Sequence, residues 1–394
     1  MPSLASDLRK TLEATVVKAR DKAESGARDA LTALAVDASE PFGSMSEEER
    51  KLRNRLRARG RQLGDQRDPQ KGTQSIERLV REMAYEHWHR MLFARFLAEN
   101  QLLIEPSSGV AISLDECEEL ATEEGTDLWG LAAQYAQSML PQIFRTDDPV
   151  LAAKLPLEIR QQLQGLVEGL AEDVFAASDS LGWVYQFWQT LEKDRVNQSE
   201  TKIGADELPA VTQLFTEPYM VDFLLHNSLG AWWVSRHPDK PCPVELSYLR
   251  TLEDGTPAAG KFEGWPGTLK DFTLLDPCCG SGHFLVAAFL MLVPMRMESE
   301  GLDSKDAVDA VLAENLYGLE IDPRCVEIAV FALALAAWRF PCIEGKPLGA
   351  RKHMPALNIA CCGLRVSTSL GQWQAIAPGT SPTAERIRLG LAQM

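Results

Sequence analysis

No apolar run in this 394-residue chain is long enough to cross a membrane or to act as a signal peptide. The longest candidate, residues 326–338, is broken by Glu327 and reads as a buried helix. The eight cysteines form no C-x-x-C knuckle; four of them sit as the adjacent pairs Cys278-Cys279 and Cys361-Cys362. That pattern argues against zinc or another metal, and unpaired thiols point to a reducing cytoplasm. An excess of positive charge is missing too. A formal net charge of −16 excludes a surface that is basic throughout, while leaving room for a local patch. Strand-like alternation is absent before residue 200, as is any internal repeat, so the first half reads as a helical domain.

Within that half, Leu4, Leu8, Leu12 and Val16 stand at helical spacing and open one long helix reaching about Ala35. After the break at Pro41, Ser46 followed by Glu49 is a capping-box signature for a second helix that ends near Gly60 or Gly64. Its arginines, among them Arg53, Arg55, Arg57 and Arg59, stand at every second position and spread around the helix. A solvated helix is the favoured reading, with contact to a DNA backbone as the alternative. From Ile76 onward the apolar spacing predicts a core helix with one apolar face, in which His87 and His89 are structural or solvent-facing. Residues 115–124 mark another helix boundary, and 156–175 predict one amphipathic helix. The aromatic run at 181–188 is read as core or interdomain seam in preference to a base-stacking platform.

One stretch carries chemistry. Phe272-Thr273-Leu274-Leu275 is an apolar run of the kind that makes a buried strand, and it passes directly into Asp276-Pro277-Cys278-Cys279-Gly280-Ser281-Gly282-His283-Phe284. A strand that turns on closely spaced glycines into a helix is a nucleoside-binding device. Gly280 and Gly282 permit tight backbone geometry and leave no Cβ between chain and ligand. Residues 315–323 predict a second strand ending in Glu320, a carboxylate suited to accept hydrogen bonds from both hydroxyls of a ribose. A pyrophosphate binder wants a third glycine where Leu285 stands, and Asp276 repels phosphate at short range. An acidic loop suits instead a ligand carrying an ammonium and a sulfonium, which points to S-adenosylmethionine. The plainer alternative is an α/β turn that holds no ligand.

Residues 323–338 predict a second crossover helix and 356–363 a third strand. Two strand–helix units in series mean a parallel, doubly wound α/β sheet, of which three strands can be counted. Upstream, Thr216 reads as the N-cap and Pro218 as a first-turn residue of a helix with Met220, Leu224 and Leu225 on its apolar side. A helix N-terminus offers free N–H groups to a carboxylate such as the methionine end of the cofactor. Glu217-Pro218-Tyr219 is not a catalytic Pro-Pro-Tyr loop, having one proline and a charge where an amide is needed.

Phe215-Thr216, then Asp276-Pro277-x-x-Gly280-x-Gly282, then Tyr317-Gly318-Leu319-Glu320 resemble, in kind and order, motifs X, I and II of gamma-class adenine-N6 DNA methyltransferases. Leu181-Gly182-Trp183-Val184-Tyr185-Gln186, Gln213-Leu214-Phe215-Thr216 and Asn227-Ser228-Leu229-Gly230 resemble more specifically the large methyltransferases of phage-defence systems. These are the PglX-like proteins of BREX and the adenine methylase of class 1 DISARM. The likeness runs from about Leu181 to Gly363 and is fainter over the helical half. It implies that Thr216 contacts the methionine carboxylate, that Asp276, Gly280 and Gly282 form the cofactor loop, that Glu320 holds the ribose and that Ile321 lies against the adenine ring. Phe215, Pro277 and Phe284 complete the expected cofactor-binding set. The family places Asp after Gly at the end of the third strand, where this chain has Gly363-Leu364.

Adenine-N6 methylation needs a flipped base held in an Asn/Asp-Pro-Pro-Tyr/Phe loop, and this chain has no Pro-Pro pair. No catalytic residue is therefore assigned. Residues 381–394 read as a helix lacking a Gly or Asn C-cap. The expectation is the N-terminal part of a longer methyltransferase. Residues 1–200 form the helical domain, and 205–394 the first half of a Rossmann-like S-adenosylmethionine-dependent domain. Three strands alone would expose an apolar edge and make the fragment poorly soluble unless a partner covers it. The implied partners are double-stranded DNA, a C-terminal half or subunit that completes the methyltransferase, and a phage anti-restriction protein, with no membrane. A non-catalytic cofactor-binding or scaffold subunit of a defence complex is the alternative. A type IIG enzyme with a fused nuclease ranks lower, because the helical half shows no D…E-x-K constellation.

Overall fold

The computed structural model describes residues 3–141, 143–145, 148–198, 211, 215–351 and 354–362. Among the described residues nine helices span the first half: α1 (Ser6–Ala33), α2 (Glu47–Leu63), α3 (Glu77–Glu99), α4 (Leu114–Glu123), α5 (Leu128–Gln137), α6 (Pro149–Ala152), α7 (Leu157–Glu168), α8 (Glu172–Ala176) and α9 (Ser180–Gln198). The capping box opens α2 as its sequence predicts. Ser46 accepts from the Glu49 N–H, Glu49 accepts in return from the Ser46 N–H, and Gly64 closes the helix at φ 105°. A second capping box, Ser113 with Glu116, opens α4. The amphipathic segment expected at 156–175 divides at Gly169 into α7 and α8.

The arginines of α2 depart from the expected solvated face. Arg53 and Arg57 are buried, and they donate to the carbonyls of Ala35, Val36, Ala38, Ser39 and Gly72, satisfying the irregular chain between α1 and α3. Positions four apart share a helix face, so these two side chains point inward together. Arg59 pairs with Glu82 across to α3, while Arg55 is exposed. Helix α3 is buried nearly all round, because α1, α2 and α5 to α8 pack about it. His87 and His89 are both inside. The His87 Nε2–H donates to the Val150 and Ala153 carbonyls, and burial pushes His87 down to about 4 and His89 down to about 3, so both rings are neutral. The aromatic run of α9 is core: Trp183, Tyr185, Phe187 and Trp188 are buried. Two long-range bonds hold α1 against α9. The Leu4 N–H donates to Asp179 at 2.7 Å, and Arg20 donates to the Trp188 carbonyl.

The second half begins with α10 (Pro218–Leu225), which continues through a π-helical turn, His226–Gly230, into α11 (Ala231–Arg236). There follow β1 (Leu274–Asp276), α12 (His283–Glu300), α13 (Ser304–Ala310), β2 (Leu316–Glu320), α14 (Pro323–Arg339) and β3 (Asn358–Cys361). The strands pair in parallel in the order β1-β2-β3, with Leu274 opposite Leu316 and Glu320 opposite Cys361. The result is a mixed fold, mainly helical, with a small parallel sheet. β1 is less enclosed than its apolar sequence predicts: Leu275 is 58% exposed, and among the described residues only β2 pairs with the strand. Its approach is held by buried Asn315, which donates to the carbonyls of Leu269 and Phe272 and accepts from Arg296. No helix among the described residues is long and apolar enough to cross a membrane.

Helix α14 is shared by two apolar clusters. Cys325, Ile328, Phe331, Ala334 and Trp338 pack with the helices of the first half, where the Phe331 ring stacks on Phe93 at 4.0 Å. Ala329, Leu333, Ala336 and Ala337 pack with α10 to α13. On the same seam Arg145 pairs with both Glu86 and Glu327. Burial pushes the Glu327 carboxyl up from an ordinary 4.5 to about 7, against the opposing pull of Arg145. Over that interval the folded chain keeps a proton that the unfolded chain releases, so Glu327 makes stability fall as pH rises from about 4.5 to about 7. Replacing Glu327 with Gln is expected to flatten the decline, as measured by urea unfolding at stepped pH.

Candidate functional site

β1 and β2 end side by side, which brings the loop after β1 against the turn after β2. The Cys279 N–H donates to the Leu319 carbonyl at 3.0 Å, extending the strand contact by one step. The Gly280 N–H then donates to Glu320 Oε2 at 2.8 Å. The other carboxylate oxygen, Oε1, accepts from the N–H groups of Ile321 at 2.8 Å and Asp322 at 3.0 Å. A carboxylate has about four acceptor positions. Three are taken by main chain, so in this rotamer Glu320 has one left for a ligand hydroxyl rather than two.

A cavity opens beside this junction, lined by Gly182, Tyr185, Gln186, Phe215, Thr216, Asp276, Cys278, Cys279, Gly280, Ser281, His283 and Phe284. Five of the nine residues singled out from the sequence are on its wall: Phe215, Thr216, Asp276, Gly280 and Phe284. Glu320, 5% exposed, adjoins it through the Gly280 N–H. Pro277 and Ile321 are exposed and do not line it. Asp276 is half-buried and accepts from the Cys278 N–H at 3.1 Å. Burial pushes its carboxyl above the usual range, and neighbouring Glu320 adds to the shift. Among the described residues neither carboxylate pairs with a cationic side chain.

Three local expectations need correction. Gly282 is expected to permit tight backbone geometry, which its positive φ bears out, and also to keep a Cβ away from a ligand. In the fold it ends the loop at φ 81° as the N-cap of α12, and a Cβ there would stand 2.9 Å from the Cβ and 3.0 Å from the Cα of Ala329. Its glycine is required by the left-handed backbone and by close packing against α14. Thr216 is not the N-cap of α10. Glu217 holds that position without a side-chain bond, and Pro218 occupies the first helical position. The apolar side also differs, since Val221 and Leu225 are buried while Met220 and Leu224 are 47% and 54% exposed. Gly363-Leu364, Gln213-Leu214 and residues 381–394 lie outside the described residues.

Sequence reasoning did not assign Gly182, Tyr185, Gln186 or His283 to the site. The first three sit in the aromatic run of α9, whose hydrophobicity signalled core. The available hint was the glycine: a Cβ at Gly182 would fall 2.2 Å from the Phe215 ring, so Gly182 is the socket for Phe215. That ring also contacts Trp183 and His283, with centroids at 4.7 and 4.5 Å. His283 Nε2 has no hydrogen-bond partner among the described residues.

Residues 257–379 match the family model described as MmeI, DNA-methyltransferase domain. The chain is 31% identical over 205 residues to the adenine-specific methyltransferase BrxX of Escherichia coli O9:H4 (strain HS), covering 50% of this chain and 17% of that protein. It is 28% identical over 309 residues to the adenine-specific methyltransferase PglX of Lacticaseibacillus casei (strain Zhang), covering 65% of this chain and 25% of that protein. Among solved structures, the ATP-dependent Type ISP restriction-modification enzyme LlaBIII bound to DNA aligns with 97% of this chain and 19% of its own, at 13% identity and a TM-score of 0.36. The alignments thus span 17% and 25% of the two curated relatives. The resemblance to large adenine methyltransferases of defence systems, drawn from the motifs alone, is borne out by BrxX, PglX and the matching domain.

Because the Gly282 site combines positive φ with a steric block, Gly282→Ala is expected to destabilise the fold by at least about 2 kcal/mol, measured by urea unfolding.

Proposed function

We propose that this chain carries the methyl-donor-binding half of an S-adenosylmethionine-dependent adenine-N6 DNA methyltransferase of a phage-defence or restriction-modification system. In this reading residues 1–200 are a helical domain, and 205–394 hold the first half of a Rossmann-like methyltransferase domain. One observation carries it: a glycine-bearing acidic loop after β1 is hydrogen-bonded, through Gly280, to a carboxylate at the end of the adjacent parallel strand. That is the arrangement in which a nucleoside lies across two strand ends.

The cavity's chemistry fits the donor. Among the described residues Asp276 and Glu320 lack cationic partners, so a phosphate is disfavoured and a ligand with an ammonium and a sulfonium is favoured. Asp276 takes the ammonium, Thr216 the methionine carboxylate and Glu320 one ribose hydroxyl. Gly280 allows close approach of the loop, with Gly282 and Pro277 setting its course. Phe215 and Phe284 supply apolar wall, and exposed Ile321 is available to the adenine ring. When bound, S-adenosylmethionine supplies the electrophilic methyl group, while this chain's residues hold and orient it. No residue of the chain is assigned to the base that receives the methyl, because there is no Asn/Asp-Pro-Pro-Tyr/Phe loop. Double-stranded DNA and a C-terminal half or partner subunit complete the reading. The same missing loop favours, as a second reading, a cofactor-binding scaffold subunit of a defence complex, able to recruit a phage anti-restriction protein.

Calorimetric titration of this chain with S-adenosylmethionine is expected to give saturable binding, lost on Asp276→Ala, with no binding of ATP. A cationic ligand favours ionised Asp276, so affinity is expected to rise with pH as that carboxyl deprotonates, and Asp276→Asn to abolish the dependence. Methyl transfer to adenine in plasmid DNA by the complete polypeptide separates the readings, since a scaffold binds donor without turnover. The exposed Cys278 gives an independent check: its alkylation, read by peptide mass spectrometry, is expected to slow when the donor is bound.

A further inference from the structure

Helix α9, which belongs to the first half of the chain, lines the cavity and is bonded both to Phe215 on its wall and to the turn after β2 that adjoins it. On one side the Gln186 side-chain oxygen accepts the Phe215 N–H at 2.7 Å, and Gly182 leaves the space that the Phe215 ring fills. Only the amide oxygen can accept from an N–H, which fixes the orientation of the Gln186 amide. On the other side the Tyr185 hydroxyl donates to Asp322, and Gln189 donates to that hydroxyl at 2.6 Å. Asp322 is held further by Arg324, and its own N–H donates to Glu320 Oε1 at 3.0 Å. Tyr185 is therefore linked to the Glu320 carboxylate through a single residue, Asp322, whose side chain accepts from the hydroxyl and whose N–H donates to Oε1. Tyr185 and Asp322 are 1% and 2% exposed, so the link is shielded from water, where hydrogen bonds fix geometry most firmly.

We infer that α9 is a built-in part of the methyl-donor site, with Gln186 and Tyr185 as positioning residues for its two ends. Gln186, aided by Gly182, holds Phe215-Thr216 at the amino-acid end of the donor; Tyr185 holds the Glu320–Asp322 turn at the ribose end. Donor affinity thereby depends on residues of a helix that lies outside the β1 loop's own motif. The inference rests on the proposed reading of the cavity, and it divides the donor into two parts that can be probed separately. S-adenosylhomocysteine carries both ends, whereas 5′-methylthioadenosine lacks the amino-acid end.

The test is calorimetric titration of the 394-residue chain and its variants with these two ligands, together with ligand-free urea unfolding. Losing the Gln186 bond removes one hydrogen bond's worth of ordering. Gln186→Met and Gly182→Ala are therefore each expected to weaken S-adenosylhomocysteine about tenfold while leaving 5′-methylthioadenosine within about twofold. Tyr185→Phe is expected to weaken both ligands by a similar factor. Equal loss of both ligands in the Gln186 and Gly182 variants, or no loss in either, overturns the positioning role. If Tyr185→Phe proves unfolded without ligand, the Gln186 and Gly182 arm decides alone. Absence of binding of either nucleoside to the unsubstituted chain overturns the underlying cofactor reading instead, so the two failures are told apart.

Discussion

The Glu320 carboxylate gathers N–H groups from two loops that are 40 residues apart in sequence, and the geometry of the cavity depends on it. A buried anion is costly unless its oxygens are satisfied. Here that requirement is met by main chain: Gly280 from the loop after β1, and Ile321 and Asp322 from the turn after β2. The carboxylate cannot shift without releasing one loop or the other. The loop after β1 is thereby fixed against β2 by side-chain chemistry where the strand pairing itself has ended.

That junction is seated on α14, which begins three residues after Glu320 and is packed on two sides. Phe331 and Trp338 join it to the helices of the first half, while Ala329 and Leu333 join it to the helices flanking the sheet. The small side chain of Ala329 faces Gly282, and so brings α14 close under the loop. Arg145 shared between Glu86 and Glu327 is the polar counterpart of this apolar seam. One of two neighbouring buried carboxylates holding a proton is the lower-energy arrangement when a single arginine serves both.

Much of the framework was legible in the sequence because it is set by local rules. Ser46 with Glu49 announced α2 and Gly64 closed it; the runs around Leu274, Leu316 and Ile359 became β1, β2 and β3. The misreadings share a different physical origin, which is that the decisive partner lies far away in sequence. Arg53 and Arg57 looked solvated until the carbonyls of 35–39 and 72 were brought to them. Their i, i+4 spacing was the available clue. The missing Cβ of Gly282 was read as room for a ligand because Ala329, which needs that room, was not yet beside it. For the same reason the aromatic run of α9 was read correctly as core, yet its polar members Tyr185 and Gln186 gave no sign that they would meet Asp322 and Phe215.

The bond from the Leu4 N–H to Asp179 and that from Arg20 to the Trp188 carbonyl also bear on the order in which the molecule is made. The first spans 175 residues, so at ordinary translation speeds the α1 surface that receives α9 waits roughly 9 to 35 s for its partner to be synthesised. Helix α3 can cover part of α1 much sooner, but α9 cannot dock before its own residues have emerged. The cavity wall that carries Tyr185 and Gln186 is therefore synthesised before β1, and the partners that fix those two side chains, Asp322 and Phe215, reach it only afterwards.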